Sequence, residues 1–206
     1  MRRWPLFLIP LLVLTPLLFS FRVHDVQAAA PIFSRPLSAA EFAQIEGGEI
    51  LLDSQKVSTP DGTTRGRALA VGYIRASKDK LMDTLLDYTS YPQYMPRMKK
   101  AEIYERTSAQ VNVKFTIKLV ITVVYHLKHY FNRPAGTMTW ELDRSKPNDI
   151  RDTTGSWFFQ PYRNGCIAYY SVTLDSGHAI PGWLEDYMTK RDLPNILRAL
   201  RTRVGG

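Results

Sequence analysis

Three histidines outside the N-terminal segment and a single cysteine bound the chemistry this chain can carry. His126 and His129 lie three residues apart in an alternating apolar run, so in a strand their rings point to opposite faces and do not chelate one metal ion together. His178 stands in a loop-like stretch before the C-terminal segment. His126, His129 and His178 read as surface or internally satisfied histidines. Cys166, the only cysteine, excludes an intrachain disulfide and any thiolate cluster around zinc or iron–sulfur, and reads as a small core hydrophobe. No His-Glu-x-x-His, Gly-x-Ser-x-Gly or phosphate-cradling glycine loop occurs. Triads are assembled in space rather than along the chain, and no residue here points to one. Glu141, Asp143, Asp149 and Asp152 fall near strand ends, where solvated carboxylates are ordinary. Acid–base catalysis needs an imidazole or carboxylate inside a cavity with a shifted pKa. Residue type and spacing mark none, and they imply no cofactor and no metal.

Aromatic content says more. Tyr91, Tyr94, Tyr125, Trp140, Trp157, Phe159, Tyr170, Trp183 and Tyr187 are many large rings for one domain of this size. Core packing accounts for most of them. The remainder suits a cavity wall, where rings supply apolar area and hydroxyls supply a polar handle for a lipid headgroup or quinone carbonyl. Met95 and Met98, beside Tyr91-Pro92 and Met95-Pro96, suit an adaptable mouth.

The elements that position these residues follow from local pattern. Ser38 and Glu41 form a capping box, and Gly47-Gly48 stops the short helix that it starts. Glu49–Ser58 and Arg65–Ile74 read as strands joined by a turn at Thr59–Gly62. Ser77 caps a helix over Lys78–Tyr88, with Leu81, Leu85 and Tyr88 on one face. Apolar residues then alternate from Val111 to Leu127, a run too long for one typical strand, which places a break near Lys118–Val120. Met138, Trp140 and Leu142 share a face of the next strand. Ile150–Gln160 and Cys166–Asp175 follow as strands separated by Pro161–Gly165, and Ala168, Tyr170, Val172 and Leu174 share a face of the last. A helix to Val204 closes the chain, with Pro194 kinking it or restarting it after Asp192. Hairpin-linked strands with segregated helices place the chain in the α+β class.

The N-terminus reads separately. Arg2 and Arg3 precede an uncharged apolar run from Trp4 to Phe21, and Val26-Gln27-Ala28 carries small residues at −3 and −1. Residues 1–28 thus read as an export signal cleaved after Ala28, with an uncleaved membrane tether as the alternative. Pro5, Pro10 and Pro16 weaken a stable spanning helix. Residues 29–44 are a lead-in with a short helix, and 45–206 form the single globular domain. Without residues 1–28 the 27 cations and 19 anions become 24 and 18, and the net charge falls from +8 to +6. These charges are spread along the chain, with one cluster at Lys190, Arg191, Arg198, Arg201 and Arg203. No nucleic-acid-binding signature accompanies them. A mildly basic surface suits transient contact with anionic lipid headgroups.

Four segments carry a family resemblance: Tyr91-Pro92 with Met95-Pro96, Gly155–Pro161, Cys166–Asp175, and Ile180–Trp183 with Leu193-Pro194, Leu197 and Leu200. In this order the chain resembles the helix-grip fold of the START-like superfamily, in its polyketide cyclase/dehydrase and coenzyme Q-binding branch. That resemblance implies a curved antiparallel sheet wrapped around the long C-terminal helix, with a ligand cavity between them. It implies inward faces carrying Phe115, Ile117, Met138, Trp140, Phe159, Ala168 and Tyr170. The ligand-binding set is then Tyr91, Met95, Phe115, Ile117, Met138, Trp140, Phe159, Tyr170, Trp183, Leu184 and Tyr187. The implied function is binding or carrying a hydrophobic small molecule: a lipid, a quinone or a sterol-like compound. The alternatives are a cyclase, dehydratase or hydrolase on the same fold, or an envelope partner-binding module with a vestigial pocket.

Overall fold

The computed structural model describes residues 36–58, 64–177 and 182–205, with only the backbone described for 57, 58, 64 and 182–190. The capping box forms as read: the Glu41 amide donates to Ser38 Oγ at 3.3 Å and the Ser38 amide donates to Glu41 Oε2 at 2.8 Å. It starts α1 (Ala39–Glu46). The boundary drawn between residues 44 and 45 falls inside this helix.

β1 (Ile50–Ser58) and β2 (Thr64–Ile74) form the first hairpin, and its tip lies outside the described residues. Ser77 caps α2 (Lys78–Leu86), accepting from the Lys80 amide at 3.2 Å. This helix ends two residues earlier than its periodicity suggests, because Asp87 leaves helical geometry (φ −87°, ψ 70°). Tyr88 then sits in a 3₁₀ turn, still fully buried, and a one-turn helix α3 (Tyr91–Tyr94) follows.

β3 (Met98–Arg106), β4 (Gln110–Lys118), β5 (Thr122–Asn132), β6 (Thr137–Leu142), β7 (Asp152–Tyr162) and β8 (Gly165–Asp175) complete the sheet. The alternating run does break where expected, at Leu119–Ile121 between β4 and β5. β7 extends two residues past its expected end. Pro161 remains in the ladder opposite Cys166, and Arg163, at φ +50°, turns the chain within two residues. α4 (Gly182–Val204) runs through Pro194 as one helix rather than restarting there.

The eight strands lie in the order β1-β2-β8-β7-β6-β5-β4-β3, and every neighbouring pair is antiparallel. This is the α+β helix-grip architecture: a curved open sheet with α4 and α2 on its inner face. Alternation along each strand divides the apolar residues between two cores. Ala68, Ala70, Ala168 and Tyr170 face inward with Leu81, Leu85, Leu193, Leu197 and Leu200 of the helices. Leu69, Val71, Ile167 and Tyr169 face outward, where Phe42 and Ile45 of α1 cover them. β2 and β8 are therefore buried on both faces, which is why each carries consecutive apolar residues. Cys166 is buried in the inner core, as expected of a small hydrophobe.

Candidate functional site

Between the inner face of the sheet and α4 lies a cavity of about 510 Å³. β5 supplies one wall by strict alternation: Val123, Tyr125, Leu127 and His129 all line it. β4 adds Phe115 and Ile117, β6 adds Met138 and Trp140, and β7 and β8 add Trp157 and Tyr170. Tyr91 and Met95–Met98 line it beside Asp192, Leu193 and Ile196 of α4.

Of the residues expected to bind ligand, Tyr91, Met95, Phe115, Ile117, Met138, Trp140 and Tyr170 line this cavity. Phe159 does not. It shares the inward parity of Trp157 but is fully buried, its amide donating to the Gly136 carbonyl at 2.9 Å and its ring stacked on Trp157 at 5.7 Å. It supports the wall rather than forming it. The backbone of Trp183, Leu184 and Tyr187 belongs to the first turns of α4, and their side chains lie outside the described residues. His178 and Pro181 also lie outside them.

The rings form a continuous lining. Tyr91 stacks on Phe115 at 5.9 Å and 6°, Trp140 stacks on Tyr170 at 5.7 Å, and Trp157 meets Tyr170 at 4.5 Å. Trp140 lies flat across β7 because its cross-strand partner is Gly155: a Cβ there would sit 2.1 Å from the Trp140 ring. The Tyr91 hydroxyl donates to the Leu85 carbonyl at 2.6 Å, and burial holds its phenol well above the ordinary range. Burial likewise pushes the Tyr125 phenol up to about 12. These hydroxyls stay protonated at any physiological pH.

His129 corrects the sequence-based expectation most clearly. It is not on the surface: it is buried in the cavity wall, and Nδ1 makes no well-formed hydrogen bond among the described residues. Burial pushes its pKa down to about 3, against a smaller opposing pull from the Val111 carbonyl. The imidazole is therefore neutral and a weak base, suited to orienting a ligand rather than to moving protons at neutral pH. Its parity with Tyr125 and Leu127 carried the signal for its position; a lone polar residue on an apolar face carries none for how its nitrogens are bonded.

His126 points to the other face of the sheet, as its three-residue offset requires. Its ring lies 5.7 Å from Tyr104, and its amide donates to Asn148 Oδ1 at 2.7 Å. Asp143, beside it, is buried rather than solvated. Desolvation pushes its pKa up, but donation from Ser145 Oγ at 2.6 Å, Tyr104 Oη at 2.7 Å and the Ser145 amide at 3.0 Å outweighs burial and holds it well below the carboxylate range. This network lies outside the cavity and braces the loop after β6. Among the described residues no group of three or more His, Cys, Asp or Glu side chains is placed to hold a metal ion. The cavity is thus a mainly apolar chamber with a few uncharged polar groups on its wall. Among the described residues its charged lining groups are one ion pair, Arg97 with Asp192, and the half-buried Arg67 of β2.

Solved structures share this architecture at low sequence identity. A STAR-related lipid transfer protein from Xanthomonas axonopodis superposes with a TM-score of 0.64 at 18% identity, over 76% of this chain and 94% of its own. A Thermus thermophilus protein gives 0.59 at 18% identity, over 67% and 96%. The Zhui aromatase/cyclase from Streptomyces sp. R1128 gives 0.56 at 12% identity, over 76% and 94%. No curated protein matches the chain significantly in sequence. The family model for polyketide cyclase/dehydrase and lipid transport matches residues 74–201, from the end of β2 through nearly all of α4. With more than half its length inside that match, the chain belongs to the polyketide cyclase/dehydrase and lipid transport family of helix-grip proteins.

Proposed function

We propose that this protein is an exported, non-enzymatic carrier of a hydrophobic small molecule held between the sheet and α4. The observation that carries this reading is the cavity itself. Its volume of about 510 Å³ falls inside the ligand-binding range of roughly 300–1,000 Å³, and its wall is mainly aromatic and aliphatic. A vestigial pocket in a partner-binding module would not need to keep that volume. Tyr91, Phe115, Ile117, Met138, Trp140 and Tyr170 supply apolar contact in this reading, and Met95 with Met98 adapts the mouth. Export rests on the pattern of residues 1–28, with a tether as the other outcome of N-terminal sequencing. The test is mass spectrometry of an organic extract of the purified protein. A stoichiometric lipid, quinone or sterol-like compound is the expected result, and a ligand-free protein that takes up no apolar probe refutes the proposal.

Loading at a membrane surface belongs to the same reading. The β4–β5 turn sits at the Arg97 end of the cavity, since the Lys118 amide donates to the Arg97 carbonyl at 2.9 Å and Ile117 and Val123 line the cavity. At its tip Val120 and Ile121 are 78% and 47% exposed, next to the exposed cation Lys118. An apolar tip flanked by positive charge suits an anionic lipid surface.

A cyclase or dehydratase is the second reading, and the imidazole of His129 on the cavity wall is the observation in its favour. A pKa near 3 makes that ring a poor base at neutral pH, which ranks the enzyme second. Dehydration or ring closure of a poly-β-ketone thioester that is lost in His129→Ala would reverse the ranking.

A further inference from the structure

We propose that the outer edge of β1 is a self-association surface, on which β1 of a second copy of this chain pairs antiparallel about a two-fold axis at Ser54. The pairing joins two eight-stranded sheets edge to edge.

The two edges of the sheet are built differently. β3, at one end of the strand order, carries Lys99, Lys100, Glu102, Glu105 and Arg106. Its register with β4 shifts twice, between Met98 and Lys100 and between Ile103 and Glu105. Charges and bulges are the devices that keep an edge strand from pairing with another chain. β1, at the other end, keeps one unbroken register with β2, from Ile50 opposite Gly72 to Ser58 opposite Thr64. Of its nine residues only Asp53 and Lys56 are charged. Leu52 is 46% exposed, and no strand lies beyond β1 among the described residues. A regular, weakly charged edge with an exposed leucine is a template for another strand.

The sequence of β1 fits its own copy. Two-fold pairing sets residues of the same parity opposite one another. Centred on Ser54, it uses the whole strand, with Ile50 opposite Ser58 at each end. It sets Leu52 opposite Lys56, whose methylene stem covers a leucine. It sets Asp53 opposite Gln55, whose side-chain amide donates to a carboxylate. In the single chain that carboxylate accepts from the amide of its own neighbour, Ser54, at 2.7 Å. Centring on Asp53 or Lys56 opposes like charges, and centring on Leu52 or Gln55 leaves part of the strand unpaired. This self-complementarity names a second copy as the occupant.

The surroundings agree. Leu51 packs into the core that α1 covers, and Arg201 of α4 donates to the Gly48 carbonyl at 2.8 Å, so both helices lean on the Ile50 end of β1. The two-fold axis sends those ends to opposite sides of the joint. Ser54 stands opposite Ala68 in the β1–β2 ladder, and both line the cavity. Across the joint the row reads Ala68, Ser54, Ser54, Ala68, and the two chambers meet along it.

The test places a cysteine on the axis in the full chain. Opposed residues of antiparallel strands lie about 4.5–5.5 Å apart at Cα, within the span of a disulfide, so Ser54→Cys should cross-link to itself on mild oxidation. The native Cys166 is buried and should stay unreacted. On non-reducing gels Ser54→Cys should be at least about tenfold more dimeric than Lys100→Cys, an exposed position on the opposite edge. Adding Leu52→Lys to Ser54→Cys sets lysine opposite lysine at both ends of the joint and should cut the cross-link about tenfold. Gln55→Glu, which opposes Asp53, should do the same and covers the case in which the lysine variant fails to fold. Lys56→Glu combined with Leu52→Lys should restore the cross-link, since lysine then faces glutamate. Ser54→Cys that is no more cross-linked than Lys100→Cys overturns the proposal. So does a cross-link that persists in both charge variants, or one that joins Ser54→Cys to a different protein.

Discussion

Arg97 and Asp192 join two segments that are 95 residues apart: Arg97 Nε donates to Asp192 Oδ2 at 2.5 Å and Nη2 donates to Oδ1 at 3.3 Å. The arginine sits at φ +60°, in the left-handed region that a non-glycine residue enters at a cost of about 1–2 kcal/mol. Its fork holds the turn before β3 against α4 at the edge where both residues line the cavity. Asp192→Asn should lower stability by about 1 kcal/mol, since the pair is only partly buried. The larger effect should be kinetic, with a several-fold faster release of a bound apolar fluorophore in stopped-flow displacement. An unchanged release rate would show that the mouth opens elsewhere.

Gly155→Ala should cost about 2–3 kcal/mol in chemical denaturation, an overpacking penalty at a site that neither Trp140 nor the Ser171 carbonyl can vacate. The added Cβ would lie 2.4 Å from that carbonyl as well as 2.1 Å from the indole. Because Trp140 is a wall residue, the variant should also lose probe affinity. A variant as stable as the parent would mean that the ring tilts away, which near-ultraviolet circular dichroism would register.

Much of this arrangement is legible from residue order alone, and the exceptions have physical causes. The run from Val111 to Leu127 declares both its period and its break, because inward positions are uniformly apolar and no common strand is that long. Phe115 of β4 and Trp140 of β6 reach the wall for the same reason, whereas Tyr91 reaches it from the one-turn helix α3. Phe159 has the right parity, but its place along β7 sets it against Trp157 and the Gly136 carbonyl, and parity says nothing about position along a strand. The capping box marks where α1 begins without saying which sheet face it covers; that depends on Leu69, Val71 and Ile167 from distant strands. The buried Nδ1 of His129 is likewise a property of what Val111, Phe115 and Tyr88 bring around it.

Stability should fall with acidity in two separable windows. His129 has a folded pKa of about 3 against an ordinary 6.5, so between those values the unfolded chain binds a proton that the native chain refuses. Its contribution is complete above pH 6.5 and is lost as pH falls from there toward 3, at up to about 1.4 kcal/mol per pH unit. Asp143, depressed below the carboxylate range, contributes fully above about pH 4 and loses that contribution as pH falls further. Urea denaturation of the wild type should therefore show about 2 kcal/mol less stability at pH 5 than at pH 7 from this histidine. His129→Phe should flatten that slope and keep the steeper loss below pH 4. A wild-type slope retained by the variant would place the titrating group elsewhere.

Val120→Asp with Ile121→Asp should weaken sedimentation with phosphatidylglycerol-containing vesicles at least tenfold while leaving naphthalene binding intact. Two exposed apolar side chains replaced by two anions remove both the insertion and the attraction. Equal sedimentation of variant and parent would remove this turn from the membrane reading.

The pairing of β2 with β8 sets the order in which the fold can be made. Arg67 stands opposite Thr173, so a strand in the first third of the chain waits for one near the end. Until then the chain offers only a two-stranded hairpin and a β3–β7 meander, with no shared centre and no outer face for α1 to cover. Contacts spanning that much sequence fold slowly. A nascent chain should remain unfolded, and accessible to chaperones, until β8 has emerged. Ribosome-stalled chains ending before Gly165 should be fully protease-sensitive, and resistance should appear abruptly once Asp175 has cleared the exit tunnel.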